Sequence, residues 1–259
     1  MNILDSIIAR KKKEIAERKK TFPETRLKEQ LYFKRTCLSL SESILAPDST
    51  GIIAEFKRKS PSRGFINEHA DVLNITKAYT KEGAAGLSVL TDSFFFGGST
   101  ADFLEARVNN IPMLRKDFII DQYQVTETKA MGADIILLIA ACLTAAEVKS
   151  MAKYAVSLGL EVLLELHEAA ELGHICDEIT IVGINNRNLK DFTVNIKASV
   201  DLGKLIPPGK MKIAESGIND PEVIERLRDE GFKGFLIGET FMKEIDPAVA
   251  FGNFVKKIR

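Results

Sequence analysis

Two hundred and fifty-nine residues, 45% hydrophobic and 28% charged, suffice for one large α/β barrel or two small domains. Thirty-six Lys+Arg set against 36 Asp+Glu leave no net charge, which argues against wholesale nucleic-acid binding. The longest apolar run, residues 135–143, is nine residues; that is under half of what spans a bilayer, so no membrane partner is expected.

The N-terminal segment differs from the rest. Leu4, Ile7 and Ile8 precede the basic block 10–13, the reverse of a secretory signal. Residues 10–20 read RKKKEIAERKK, rich in helix formers, with Leu4, Ile8 and Ile15 able to share a face. The charge run reads as a solvated helix face. Pro23 interrupts, a second short helix is expected near 24–30, and residues 46–49 read as a linker. The expected organisation is a helical extension over 1–48, packed on a second domain over 49–259.

From Gly51 the rhythm changes. Short apolar, branched runs recur at 51–56, 86–90, 111–114, 133–139, 160–166, 179–184, 211–214 and 234–237. Each is followed by a polar or Gly-containing loop and a helix-like segment, such as 71–81, 121–131, 145–158 and 221–230. In the last, Asp220 stands as N-cap and Pro221 at the first helical position. Eight such units at roughly 26 residues each imply a parallel sheet with outer helices, and fit a closed (β/α)₈ TIM barrel better than an open sheet. Neither a GxGxxG after the first strand nor a P-loop is found. Cys37, Cys142 and Cys176, like His69, His167 and His174, are scattered, so neither disulfides nor a metal site is expected. A cytoplasmic protein is the expectation.

Barrel enzymes build their sites at the C-terminal strand tips. Those tips carry Glu55 and Lys57, Thr91, Lys116, Glu165, Asn185 and Arg187, Glu215 and Ser216, and Gly238. Strand parity puts Glu55 and Lys57 on one face and Ile52, Ala54 and Phe56 on the other. In the fifth strand it turns Glu161, Leu163 and Glu165 inward. An inward Glu is expensive unless it is paired or lies in a solvated pocket. A structural ion pair between Glu55 and Lys57 is the plain alternative. Several convergent acids and bases on one rim are what proton-transfer chemistry requires. Glycines at the last two tips, in Glu215–Ile218 and around 234–240, let backbone N–H groups approach an anion, and barrels often bind phosphate there. The basic cluster 57–63 should send at least Lys57 into the pocket, while Phe94–Phe96 with Gly97 and Gly98 read as an apolar wall or a buried plug.

Seven stretches carry a family resemblance: IIAEFKRKSPSRG (52–64), LSVLTDSFFFGGS (87–99), LRKDFIID (114–121), LLELHE (163–168), GINNRNL (183–189), IAESGI (213–218) and FLIGETFM (235–242). Together, and in this order, they closely resemble indole-3-glycerol phosphate synthase of tryptophan biosynthesis. The absence of Trp agrees with this. The resemblance implies a carboxy-lyase acting on a small phosphosugar, 1-(2-carboxyphenylamino)-1-deoxyribulose 5-phosphate. An aryl carbon joins the ketose carbonyl carbon, then carbon dioxide and water leave. No metal or organic cofactor is implied, and a monomer, or at most a weak homodimer, is expected.

By the same resemblance Lys116 is the general acid for ring closure and Glu165 an essential carboxylate, base or electrostatic partner. Glu55 and Lys57 form a second acid/base pair, with their parts in dehydration left open. Asn185 and Arg187 match the end that holds the aryl carboxylate, where a planar guanidinium suits the task. Phe96 and Phe118 would flank the ring, with Ser60, Glu215 and Ser216 also in the site. Gly217, Gly238 and the backbone of Glu239 match the phosphate site, with Lys57 reaching towards it. Many family members have Ser where Glu239 stands, and a carboxylate there repels phosphate unless it turns away to solvent. The alternatives are another phosphosugar barrel of the same pathway, such as phosphoribosyl-anthranilate isomerase or the tryptophan synthase α-subunit, or a non-catalytic phosphate-binding barrel.

Overall fold

A computed structural model describes residues 3–188 and 192–259; Leu189, which ends the GINNRNL stretch, lies outside the described residues. Eight strands form the centre: β1 Ile52–Phe56, β2 Gly86–Leu90, β3 Met113–Lys116, β4 Ile135–Ile139, β5 Glu161–Leu166, β6 Ile181–Asn185, β7 Met211–Glu215 and β8 Gly234–Ile237. Every neighbouring pair is parallel, and β1 closes the ring by pairing with both β2 and β8. This is the closed barrel that the alternation predicts.

Strand parity sorts the core into two shells. Ile53, Leu114, Ile135, Leu137, Leu163, Ile181, Ile213 and Leu236 fill the barrel interior. Ile52, Ala54, Phe56, Val162, Leu164 and Leu166 face the helices. The outer helices start where the sequence supplies caps. They are α4 Val72–Lys81 (Asp71), α6 Thr100–Ala106 (Ser99), α7 Gln122–Ala130 (Asp121), α8 Ala145–Ser157 (Thr144), α9 Ile196–Gly203 (Asn195), α10 Pro221–Asp229 (Asp220) and α12 Pro247–Ile258 (Asp246). Each named side chain accepts a first-turn N–H, which stabilises a helix by about 1 kcal/mol. Two single-turn helices, α5 Ser93–Phe96 and α11 Glu239–Met242, sit on the loops at the C-terminal rim.

Two expectations change. Between β5 and β6 there is no α-helix but a 3₁₀ segment, Ala169–His174. The Glu171 carboxylate folds back on the N–H groups of His167 and Glu168, drawing that connection into a tight turn. The strands also run further than the apolar pattern. β3 starts after Pro112 and continues through Arg115 to Lys116, and β6 and β7 end on Asn185 and Glu215. Ladder pairing of Leu90 with Lys116, and of Asn185 with Glu215, carries these polar tips.

Residues 3–48 pass from one barrel mouth to the other. Helix α1, Ile3–Thr21, lies at the C-terminal rim, where Ile3, Leu4 and Ile7 line the central cavity. Helix α2, Glu24–Lys28, packs on α7. Helix α3, Leu40–Leu45, closes the opposite mouth, with Leu40 and Ile44 joined to the interior shell. Glu161, inward at the start of β5, accepts the Ser39 hydroxyl and the Leu40 N–H, both at 2.7 Å. Buried Asp134 accepts from Arg35, Arg107, Leu38 N–H and Met113 N–H, fixing the intervening strand of chain to the wall.

The buried stripe of α1 is Ile7, Lys11 and Ile15, not Leu4, Ile8 and Ile15. The charge run is therefore not simply a solvated face: Lys11 is 1% exposed. Its ammonium lies 2.9 Å from Asp92 and 3.0 Å from Asp117. Thr91, expected on the functional rim, instead donates its hydroxyl to Asp117 at 2.7 Å beneath it. Burial opposes ionisation of Asp117, but the cations of Arg115 and Lys11 prevail and pull it from the usual 3.8 to about 2. A lowered carboxylate contributes stability above its unfolded value and loses it as pH falls. Wild type should therefore lose stability steeply between about pH 4 and 2 in acid unfolding followed by circular dichroism. Asp117→Asn should start lower and fall less steeply in that window; parallel curves would contradict the assignment.

Candidate active site

The strand tips and rim loops enclose a cavity of about 240 Å³. Apart from Thr91, every strand-tip and site residue named from the sequence lines it. On one side stand Glu55 and Lys57, paired at 2.7 Å. The ion pair weighed above as a plain alternative thus forms, inside the cavity wall. Across the barrel Lys116 lies 3.2 Å from Glu165 and 3.7 Å from Glu215. The amide of Asn185 donates to Glu165 at 3.0 Å, and its oxygen accepts the N–H of Arg187 at 3.0 Å. Ser60 is buried on the loop after β1, where residues 59–60 and 64–65 form a small antiparallel ladder.

Electrostatics set three different protonation states within a few ångströms. Burial pushes Lys116 down, but Glu165, Glu215 and Glu55 outweigh it and hold the ammonium above its ordinary value. Burial pushes Glu165 up, and Lys116, His167 and Asn185 overcome that, so it stays ionised. Glu215, pushed up by burial and by the neighbouring Glu165 charge, titrates well above the usual carboxylate range. An ionised carboxylate, a carboxyl held well above its usual range and an ammonium converge. Environments that drive neighbouring pKa values apart are how acid and base roles are divided. Gly183 makes room for this cluster, since a Cβ there would meet the Glu215 carboxylate at 2.2 Å.

The aromatic wall is Phe96, at the end of α5, with Phe118, their ring centroids 5.9 Å apart. Phe95 and Phe96 pack on the interior shell and Phe94 is 53% exposed. Of that run only Phe96 walls the cavity, and the run is no buried plug.

The far end carries Ser216 and Gly217, both at positive φ (68° and 69°). For Ser216 this is a strained conformation, and such strain clusters at ligand sites. The backbone oxygen of Ser216 accepts from Asn186 at 2.6 Å, which holds the turn. Gly238 lies against Glu55, where a Cβ would meet the carboxylate at 2.6 Å. The Glu239 side chain does not turn away to solvent. It lies 2.7 Å from Arg63 and 3.2 Å from Arg187, so two guanidinium groups offset its charge.

Sequence reasoning passed over two groups. His167 follows Glu165 with the same parity and sits 3.2 Å from its carboxylate. Burial lowers this imidazole's pKa, but Glu165 and Glu171 outweigh that and raise it overall. The period-2 pattern could have included it. Lys11 had no such signal, because it lies in a run of lysines. Among the described residues no group of three His, Cys, Asp or Glu side chains could hold a metal ion, and no helix is long and apolar enough to cross a membrane.

A closed parallel barrel with opposed acids and bases at its C-terminal tips defines an enzyme of the (β/α)₈ class. Solved structures agree on the fold alone. The tryptophan synthase α-subunit of Pyrococcus furiosus is 17% identical with a TM-score of 0.59, over 80% of this chain and 96% of that one. Residues 4–254 match the family model of indole-3-glycerol phosphate synthase, and the chain belongs to that family of decarboxylating, ring-closing lyases. The indole-3-glycerol phosphate synthase of Bacteroides thetaiotaomicron is 46% identical over 100% of this chain and 99% of its own length. The protein of that name from Bordetella pertussis is 39% identical over 98% and 99%.

Proposed function

We propose that the protein converts 1-(2-carboxyphenylamino)-1-deoxyribulose 5-phosphate to indole-3-glycerol phosphate. The observation that carries this reading is Lys116 between Glu165, held ionised, and Glu215, held well above the usual carboxylate range, facing the aromatic wall of Phe96 and Phe118. The Lys116 ammonium donates to the carbonyl oxygen as the aryl carbon attacks the carbonyl carbon. Carbon dioxide departs and its bonding pair restores the aryl ring. The new hydroxyl then leaves with a proton, for which Glu215 and the Lys57–Glu55 pair are the available donors. Ionised Glu165 holds Lys116 and takes the proton whose loss completes the pyrrole.

Arg187 binds the aryl carboxylate, with Asn185 orienting it. Gly217, Gly238, the backbone of Glu239 and Lys57 hold the phosphate, and Ser60 and Ser216 complete the wall. The Arg63 and Arg187 guanidiniums leave a net positive charge around Glu239, so its carboxylate does not bar an anion. Residues 1–48 act as a helical extension of a catalytic barrel over 49–259, with α1 covering the rim and α3 closing the opposite mouth. A monomer, or at most a weak homodimer, remains the proposed assembly. Three free cysteines and a balanced charge suit the cytoplasm and no nucleic-acid partner.

The test is direct because the chain contains no Trp. Indole-type fluorescence should rise when the purified protein meets this substrate, with one carbon dioxide released per product. No rise with a folded protein would overturn the reading.

The two anionic ends should also separate. Arg187→Ala should raise KM about tenfold or more and, because Arg187 also offsets the Glu239 charge, weaken inhibition by inorganic phosphate only modestly. Gly217→Ala, strained at φ 69° and crowding Val194, should weaken phosphate inhibition. Equal phosphate inhibition in wild type and Gly217→Ala would move the anion site elsewhere. Gly238 is the poorer probe, since any side chain there displaces Glu55.

A further inference from the structure

Lys11 belongs to a helix outside the barrel, yet it is almost fully buried, and its ammonium touches carboxylates from two active-site loops. Each of those carboxylates has a second task. The Asp92 carboxylate accepts the N–H of Phe95 at 2.8 Å, capping the single turn that presents Phe96. The Asp117 oxygen that meets Lys11 also accepts the N–H of Phe118 at 2.8 Å. Glu14, one helical turn on, meets the ammonium at 3.2 Å and belongs to neither loop. A buried cation shared by two buried carboxylates is held to one geometry, because losing it leaves uncompensated charge.

We propose that Lys11 is a positioning residue for the aromatic half of the ligand site. Its ammonium joins the two carboxylates that fix the backbone under Phe96 and at Phe118, and so sets the gap between the two rings. The proposal rests on the reading that these rings flank the aryl group. It goes beyond that reading in giving the extension a specific lever on one end of the ligand. A purely structural lysine would lower stability and leave the balance between the two ends of the ligand unchanged.

The experiment compares two probes by calorimetry, so that it does not depend on turnover. One is the unreactive substrate analogue with its ketone reduced to the alcohol; the other is inorganic phosphate. Lys11→Met should weaken the analogue about tenfold or more and leave phosphate within about twofold. Glu14→Gln, which removes the carboxylate tied to no wall, should leave both near wild type. Where Lys11→Met does not fold, Lys11→Met/Asp92→Asn carries the comparison, as Asn keeps an acceptor for Phe95 and removes one unpaired charge. Analogue affinity unchanged, or analogue and phosphate weakened in step, would overturn the proposal. Failure of wild type to release indole product would instead strike the functional reading.

Discussion

Lys116→Met should leave the barrel folded and lower kcat by about 10²–10⁴-fold, the usual loss when one positioned acid is removed. The fold survives because Met keeps most of the apolar stem. Glu165 also retains Asn185 at 3.0 Å and His167 at 3.2 Å. The drop exceeds that range if the same ammonium also offsets charge developing on the carbonyl oxygen. Glu165→Gln should slow turnover as well, since it removes a charge while nearly keeping the shape. The measurement is kcat at saturating substrate, with circular dichroism to confirm folding. A Lys116→Met enzyme within tenfold of wild type would contradict the assigned role.

Truncation of the extension should give two distinct outcomes, because its parts lie at opposite mouths. Removing residues 1–22 takes away the Ile3, Leu4 and Ile7 wall and the Lys11 pin. A folded barrel with raised KM is expected: the cavity loses a cover that excludes water, while the opening solvates Asp92 and Asp117 keeps Arg115 at 3.1 Å. Removing residues 1–48 also strips Leu40 and Ile44, each worth roughly 1.5–3 kcal/mol of apolar burial. It leaves Glu161 without Ser39 and Leu40, and Asp134 without Arg35 and Leu38. Buried carboxylates stripped of partners are strongly destabilising. A fall in Tm of about 10–20 °C, with aggregation on size-exclusion chromatography, follows for a chain of this size. A 1–48 deletion within a few degrees of wild type would show that the lower mouth needs no plug.

The barrel was legible because strand parity and apolar runs mark both shells independently of loops. Ile52, Ala54 and Phe56 separate from Glu55 by parity alone. The runs failed where the chemistry begins: β3, β6 and β7 end on Lys116, Asn185 and Glu215, so an apolar pattern stops one or two residues short. The rim residues were legible as strand-tip charges, and their contribution to one cavity follows from barrel closure. Their protonation states were not. Glu165 and Glu215 look alike in sequence, but Glu165 is nearer Lys116 and also has His167 and Asn185, which pull it down, while burial and the Glu165 charge push Glu215 up. Helix α3 was missed because LSESIL is too short to show a helical period, and its burial depends on Glu161 far along the chain. Lys11 was read as solvated because a lysine among lysines carries no sign of two distant aspartates.

The central claim is that the buried Lys116–Glu165 pair acts on the substrate and is not merely an ion pair holding two strands together. The measurement that separates these is kcat of Lys116→Met/Glu165→Gln beside the two single variants. If the two charges only neutralise each other, removing both leaves neither unpaired and activity returns to within about tenfold of wild type. If they work on one transition state, the double variant stays as slow as the worse single variant, since effects of groups acting as a unit do not add. The account predicts the second result, and recovery of the double variant would contradict it.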